Sequence, residues 1–280
     1  MRIANVDGRL VLLTGIGGGI DVERASGGRF SAEPQAVFAR WADFRTWAAR
    51  APHGATEPID DAALGAPAPR PVQVFGIGMN YRDHAREAGL PIPDRPATFT
   101  KFPTCLTGPY ADVLLPPGAV DWEVELVVVM GVRAHRVTEA EAWDHVAGLT
   151  VGQDVSERML QWGAGGQFSL GKSFPTFGPM GPCLVTPDEL ADPDDLAIRC
   201  SVAGTIMQQS RTSDMVFGVP RLIAELSAVV PLLPGDVVFT GTPAGIGATR
   251  NPPRLLAPGD VIESTIDGIG TMRNRCVAAI

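Results

Sequence analysis

Asp121, Glu123 and Glu125 stand at spacing two in VDWEVELVVVMG, directly ahead of the apolar run Leu126 to Met130. On a strand that spacing turns all three carboxylates to one face. The run itself reads as a strand covered on both faces. An unpaired carboxylate there is costly or takes up a proton. A divalent cation opposite Glu123 and Glu125 would satisfy both, and oxygen ligands favour Mg2+, Mn2+ or Ca2+. The other reading puts the pair at the strand's mouth, against water or an arginine. Asp121, nearer the strand's start, is expected to cap or meet solvent. Asp154 closes GLTVGQD ahead of a helical turn, as a third metal ligand or as a helix N-cap.

A second chemical pair lies in NYRDHAREAG. His84 and Glu87 are three apart on a predicted helical turn, so their side chains are neighbours. A carboxylate beside an imidazole fixes its tautomer and stabilises its charged form, as a general base requires; a surface ion pair would show the same spacing. Lys172, in GGQFSLGKSFPTFGPMGP, sits among glycines and aromatics rather than in a charged run, where its ammonium could meet a developing oxyanion. The loop in FTGTPAGIG, Phe239 to Gly247, offers backbone N–H groups to an anion or is simply a turn. FGIGMNY carries two glycines of a dinucleotide-binding fingerprint, but Tyr81 replaces the third and no long helix follows, which argues against that use.

The frame that must hold these residues is an ordinary globular one. The chain has 280 residues, 45% hydrophobic and 19% charged, enough for one large or two smaller domains without disulfides. With 23 Lys and Arg against 31 Asp and Glu, the net charge is −8, which disfavours nucleic acid as a partner. Cys105, Cys183, Cys200 and Cys276 are too far apart in sequence for a CxxC site and read as reduced core thiols. No segment has the roughly 18 uninterrupted apolar residues of a membrane helix. MRIANVDGRL shows no secretory h-region, so a cytoplasmic address is the expectation.

Residues 1–70 read as a small N-terminal unit and linker. Two strands flank a DG turn, a helix starts at Ser31 in FSAEPQAVFARWADFRTWAAR, and an Ala/Pro/Gly-rich stretch follows. From 71 to 280 short strands alternate with Gly and Pro turns. Helical stretches fall at Tyr81 to Ala88, at Glu139 to Val146 behind a Thr138/Glu141 capping box, and near Pro220 to Leu226. The fold class expected is α+β and mostly β, a sandwich or barrel with a few helices packed on it.

The motifs NYxxHxxE, DxEVEL, QDVSER, GKSFxTFGPMGP and PGDVVFTGTPAGIG, in that order from about Phe75 to the C-terminus, resemble the fumarylacetoacetate hydrolase family. The resemblance implies a mixed β-sandwich roll with a small N-terminal α/β domain, working as a homodimer. It places a Mg2+ or Mn2+ ion on Glu123, Glu125 and Asp154, and a water-activating dyad on His84 and Glu87. Lys172 takes the family's lysine position, Arg158 and Gln161 its substrate contacts, and Thr242 the threonine of its glycine loop. Many members carry Asp where Pro175 and Met159 stand here, two departures beside the site that bear on the substrate. The implied substrates are small 2-oxo or 1,3-diketo acids. The first reaction expected is hydrolysis of a C–C bond in an acylpyruvate, with His84 activating water and the metal stabilising the enolate. Oxaloacetate decarboxylation and isomerisation of an unsaturated hydroxy diacid are alternatives on the same residues, and a metal-dependent oxo-acid binding protein is the non-enzymatic one. Residues 81–96 are expected to form a lid.

Overall fold

The computed structural model describes residues 1–15, 17–51, 56–163 and 165–279. Among these, two sheets dominate. The larger, of twelve strands, runs along its main path from Glu57–Pro58 through Gly18–Asp21, Arg9–Leu13 and Arg2–Val6 to Gly178–Val185. It continues through Val146–Gln153, Val124–Met130 and Val237–Phe239 to Val74–Gly78 and Ala97–Thr100. The smaller carries Thr205–Arg211, Ala197–Val202, Val261–Ile266, Gly270–Ala278 and Val113–Leu115. Short helices sit around them, so the molecule is mostly β, as the many turn-bounded strands require.

Val124–Met130 is the central element, and all seven of its residues are buried. Val124, Leu126, Val128 and Met130 enter a core shared with Ile198, Cys200, Ile262 and Ile266 of the smaller sheet. Val127 and Val129 enter another core, with Phe38, Trp41 and Phe44 of the N-terminal helical stretch. The strand is therefore covered on both faces, which explains its unbroken apolar run.

The N-terminal residues extend this sheet rather than folding beside it: Arg2 and Ile3 pair with Val185 and Leu184. Asp7 and Gly8 both take positive φ, the conformation a two-residue hairpin turn demands. The helical stretch begins later than Ser31. Pro34–Arg40 is a 3₁₀ turn and Trp41–Ala48 the α-helix, because Ser31 Oγ accepts the N–H of Glu33 in a local turn. The Thr138/Glu141 capping box is present and opens a 3₁₀ turn, Glu139–His145. All four cysteines are free and buried. No helix among the described residues is long and apolar enough to cross a membrane.

Candidate functional site

The carboxylates meet where strands of the larger sheet end. The chain breaks from regular pairing between Val120–Asp121 and Val124–Met130, and buried amides hold the break open. Gln153 Oε1 accepts the N–H of Glu123 at 2.9 Å and Gln208 Oε1 that of Val124 at 3.0 Å. Asp154 follows the partner strand, its N–H donating to Glu123 O at 2.9 Å. These constraints place Glu123, Glu125 and Asp154 so that one oxygen from each lies within 4.8 Å of the others, with all three buried.

Three like charges at that separation need a cation. Lys172 Nζ supplies part of it, 2.7 Å from Glu123 Oε2 and 2.6 Å from Asp154 Oδ2. Lys101, 1% exposed, reaches Asp154 Oδ1 at 2.7 Å and also donates to the carbonyls of Phe177 and Lys172. Arg158 Nη1 lies 2.6 Å from Glu123 Oε1. Burial works against ionisation of Glu123, yet Lys172 and Arg158 hold it down at about 2. Glu125 differs. Its hydrogen bond comes from the N–H of Gly241 at 2.7 Å, and burial, then Asp154 and Glu123, push it well above the carboxylate range. An all-oxygen cluster with one carboxylate short of positive charge fits a hard divalent cation.

Asp121 is a correction to the expectation of a solvent-facing cap. It is fully buried, and Arg158 Nε and Nη2 donate to its Oδ2 at 3.0 and 2.8 Å. Arg158 opens the helix Arg158–Gly163, and Gly247 and Ala248, whose N–H groups also reach Asp121, lie in the glycine loop, so strand position alone gives no hint of these partners.

The cluster borders a cavity of about 330 Å³. Glu123, Lys172, Arg158, Gln161, Thr242 and His84 line it, so six of the singled-out residues share one space. Gln161 Oε1 accepts from Arg158 Nη1 at 2.9 Å. Thr242 Oγ1 donates to Val124 O at 2.9 Å and accepts from Gln208 at 2.7 Å. Phe99, Phe168 and Trp162 form the apolar side, with Trp162 and Phe168 edge to face at 5.0 Å.

His84 and Glu87 ride on the short helix Arg82–Glu87. Ahead of it, Met79 takes φ +54° and the buried Asn80 locks the turn, bonding Phe217 O and Thr240 O at 3.0 and 2.7 Å. His84 Nδ1 lies 3.3 Å from Glu87 Oε2, leaving Nε2 as the free ring nitrogen. Burial favours the neutral acid at Glu87, but hydrogen bonds from His84 and the Gly245 N–H outweigh it and keep its carboxyl below the usual range.

Sequence reasoning missed Lys101, Gln153 and Gln208. Lys101 carries a usable signal, since TFTKF sets a lone lysine among aromatics as at Lys172; Gln153 stands in the motif QDVSER directly ahead of Asp154, whereas nothing marks Gln208. Met159 is 69% exposed and Pro175 is exposed, and neither lines the cavity. The two departures from the motif thus lie outside its wall.

A family model described as the fumarylacetoacetate (FAA) hydrolase C-terminal domain matches residues 73–277. Mitochondrial oxaloacetate tautomerase FAHD2A of Bos taurus is 47% identical over 223 residues, which cover 79% of this chain and 71% of that one. A Mycobacterium smegmatis crystal structure designated HpcE superposes with a TM-score of 0.96 at 51% identity, covering 100% of both chains. Maleylpyruvate hydrolase from Sphingobium sp. SYK-6, solved with manganese(II) and pyruvate, superposes at 0.82 with 28% identity, again over 100% of both.

Proposed function

The chain belongs to the fumarylacetoacetate hydrolase family, and on that premise we propose that it is a divalent-metal-dependent enzyme that moves a proton at the carbon beside the carbonyl of a small 2-oxo acid. Keto–enol interconversion of oxaloacetate is the leading reaction. It is supported by the relative at 47% identity that bears the name oxaloacetate tautomerase. The observation that carries the reading is that His84, oriented by Glu87, shares one cavity with Glu123 of the carboxylate cluster.

Glu123, Glu125 and Asp154 would hold Mg2+ or Mn2+, which when bound supplies Lewis acidity toward the adjacent oxygens of a 2-oxo acid. The remaining steps belong to the chain's own groups. Toward the enol, His84 Nε2 takes a proton from carbon 3 and a proton is delivered to the oxygen on carbon 2; toward the keto acid, the enol hydroxyl gives up its proton and His84 delivers one to carbon 3, while Glu87 holds the ring in one tautomer. Lys172 places positive charge near the oxygen where negative charge grows. Arg158 and Gln161 seat the substrate carboxylate, and Thr242 fixes the start of the glycine loop. Segment 81–96, which brings His84, Ala88 and Leu90 to the cavity wall, serves as the lid.

A second reading, hydrolysis of a C–C bond in an acylpyruvate, draws on the Sphingobium neighbour named maleylpyruvate hydrolase and on the same dyad, which can activate water. The two are separated by offering the Mn2+-loaded protein enol-oxaloacetate, acetylpyruvate and fumarylpyruvate. Faster loss of the enol absorbance, with acylpyruvates intact, is the expected result. Acylpyruvate cleavage without enol turnover would move the assignment to the hydrolase. Inactivity on all three would overturn both.

A further inference from the structure

We propose that Asp121 is a positioning residue that sets the substrate clamp and the floor beneath the dyad as one unit. Its carboxylate gathers five donors from three parts of the chain. Oδ2 accepts Arg158 Nε and Nη2 at 3.0 and 2.8 Å and the N–H of Ala248 at 3.0 Å. Oδ1 accepts the N–H of Gly247 at 2.7 Å and of Trp122 at 2.8 Å. With Nε and Nη2 committed to Asp121, Arg158 turns Nη1 toward Glu123 and Gln161 at the cavity wall.

The glycine loop is held by Asp121 and its neighbour Trp122. Trp122, buried beside Asp121, donates its indole N–H to Gly245 O at 3.2 Å. Gly245 in turn gives its N–H to Glu87, and Ile246, Ala248 and Thr249 line the cavity. The contact with Asp121 is possible because residue 247 is glycine: a Cβ there would lie 1.8 Å from Arg254 O and 2.7 Å from Asp121 Oδ1. Asp121 thus links the guanidinium on one side of the cavity to the loop that receives Glu87 on the other. A buried ion pair seldom repays its desolvation in stability, so placement is the use this geometry serves.

The inference rests on the 2-oxo-acid reading only where it concerns substrate; the effect on the loop does not depend on it. Asp121→Asn keeps the shape, but its amide nitrogen cannot accept, so either Arg158 or the loop loses a partner. Two readouts apply. Hydrogen exchange of the 245–249 amides is expected to accelerate in D121N, with exchange in the Val124–Met130 strand unchanged. Oxalate affinity of the Mn2+-loaded protein is expected to fall by roughly ten- to a hundredfold, with KM rising in step and Mn2+ affinity held. In an Arg158→Met background, D121N is expected to add little further loss of oxalate. Unchanged loop exchange together with unchanged oxalate affinity, even if the melting temperature drops, would overturn the proposal. If wild-type protein binds no oxalate, the 2-oxo-acid reading fails while the loop readout still decides for or against Asp121. Should D121N not fold, Asp121→Glu keeps the charge but displaces it, and wild-type loop exchange and oxalate affinity in D121E would count against the role.

Discussion

Both carboxylate oxygens of Glu87 lie 3.1 Å from the backbone nitrogen of Gly245, a contact that spans 158 residues and seats the dyad helix on the glycine loop. Hydrogen bonds from His84 and Gly245 overcome the effect of burial and lower the Glu87 pKa in the folded state. A depressed carboxylate contributes stability above its unfolded pKa and loses it as pH falls through the folded one. Wild type is therefore expected to melt above Glu87→Gln at neutral pH, with the gap closing below the ordinary glutamate range of about 4.3. Thermal melts of both proteins from pH 7 to pH 3 test this. A gap that stays constant contradicts it.

His84→Ala removes the proton carrier and leaves the carboxylate cluster whole. Turnover is expected to fall by roughly 10²–10⁴-fold, while Mn2+ affinity by titration calorimetry stays unchanged. Turnover that survives removes His84 from the mechanism.

Lys101 supplies three hydrogen bonds in a buried position. Lys101→Met leaves Asp154 Oδ1 and two carbonyls without that donor, and a stability loss of about 3 kcal/mol is expected from breaking a buried pair one-sidedly. Urea denaturation measures it; a loss near zero would mean that Lys172 alone satisfies Asp154.

Gly152 sits in the strand just before Gln153 and Asp154. A Cβ there would meet Val127 Cγ1's partner methyl, Cγ2, at 2.2 Å and Phe239 Cε1 at 2.8 Å. Gly152→Ala is expected to destabilise by about 1–3 kcal/mol through overpacking and to loosen the strand end that delivers Asp154. A neutral denaturation midpoint contradicts this.

Much of the site was legible because its chemistry is written locally. Spacing two singles out Glu123 and Glu125, although only Glu125 lies within Val124–Met130 and Glu123 stands in the break just ahead of it; spacing three on a helix singles out His84 and Glu87, and the family motif order joins them to Asp154 and Lys172. What local patterns cannot carry is pairing across the chain. Asp121 looks like a strand start, yet its partners are 37 and 126 residues away. Likewise Arg2–Val6 reads as a free hairpin strand, and only the register Arg2↔Val185 shows that it extends the central sheet. Ser31 is a good helix start by composition, but its hydroxyl is used within its own turn.

Glu123, Glu125 and Asp154 are proposed to share one divalent cation. Crystals soaked in Mn2+ and measured for anomalous scattering would locate it. The expected result is one strong peak within coordination distance of all three carboxylates, with Lys172 Nζ moved off Glu123 and Asp154. A map without a peak there, from protein shown to be intact, would contradict the account.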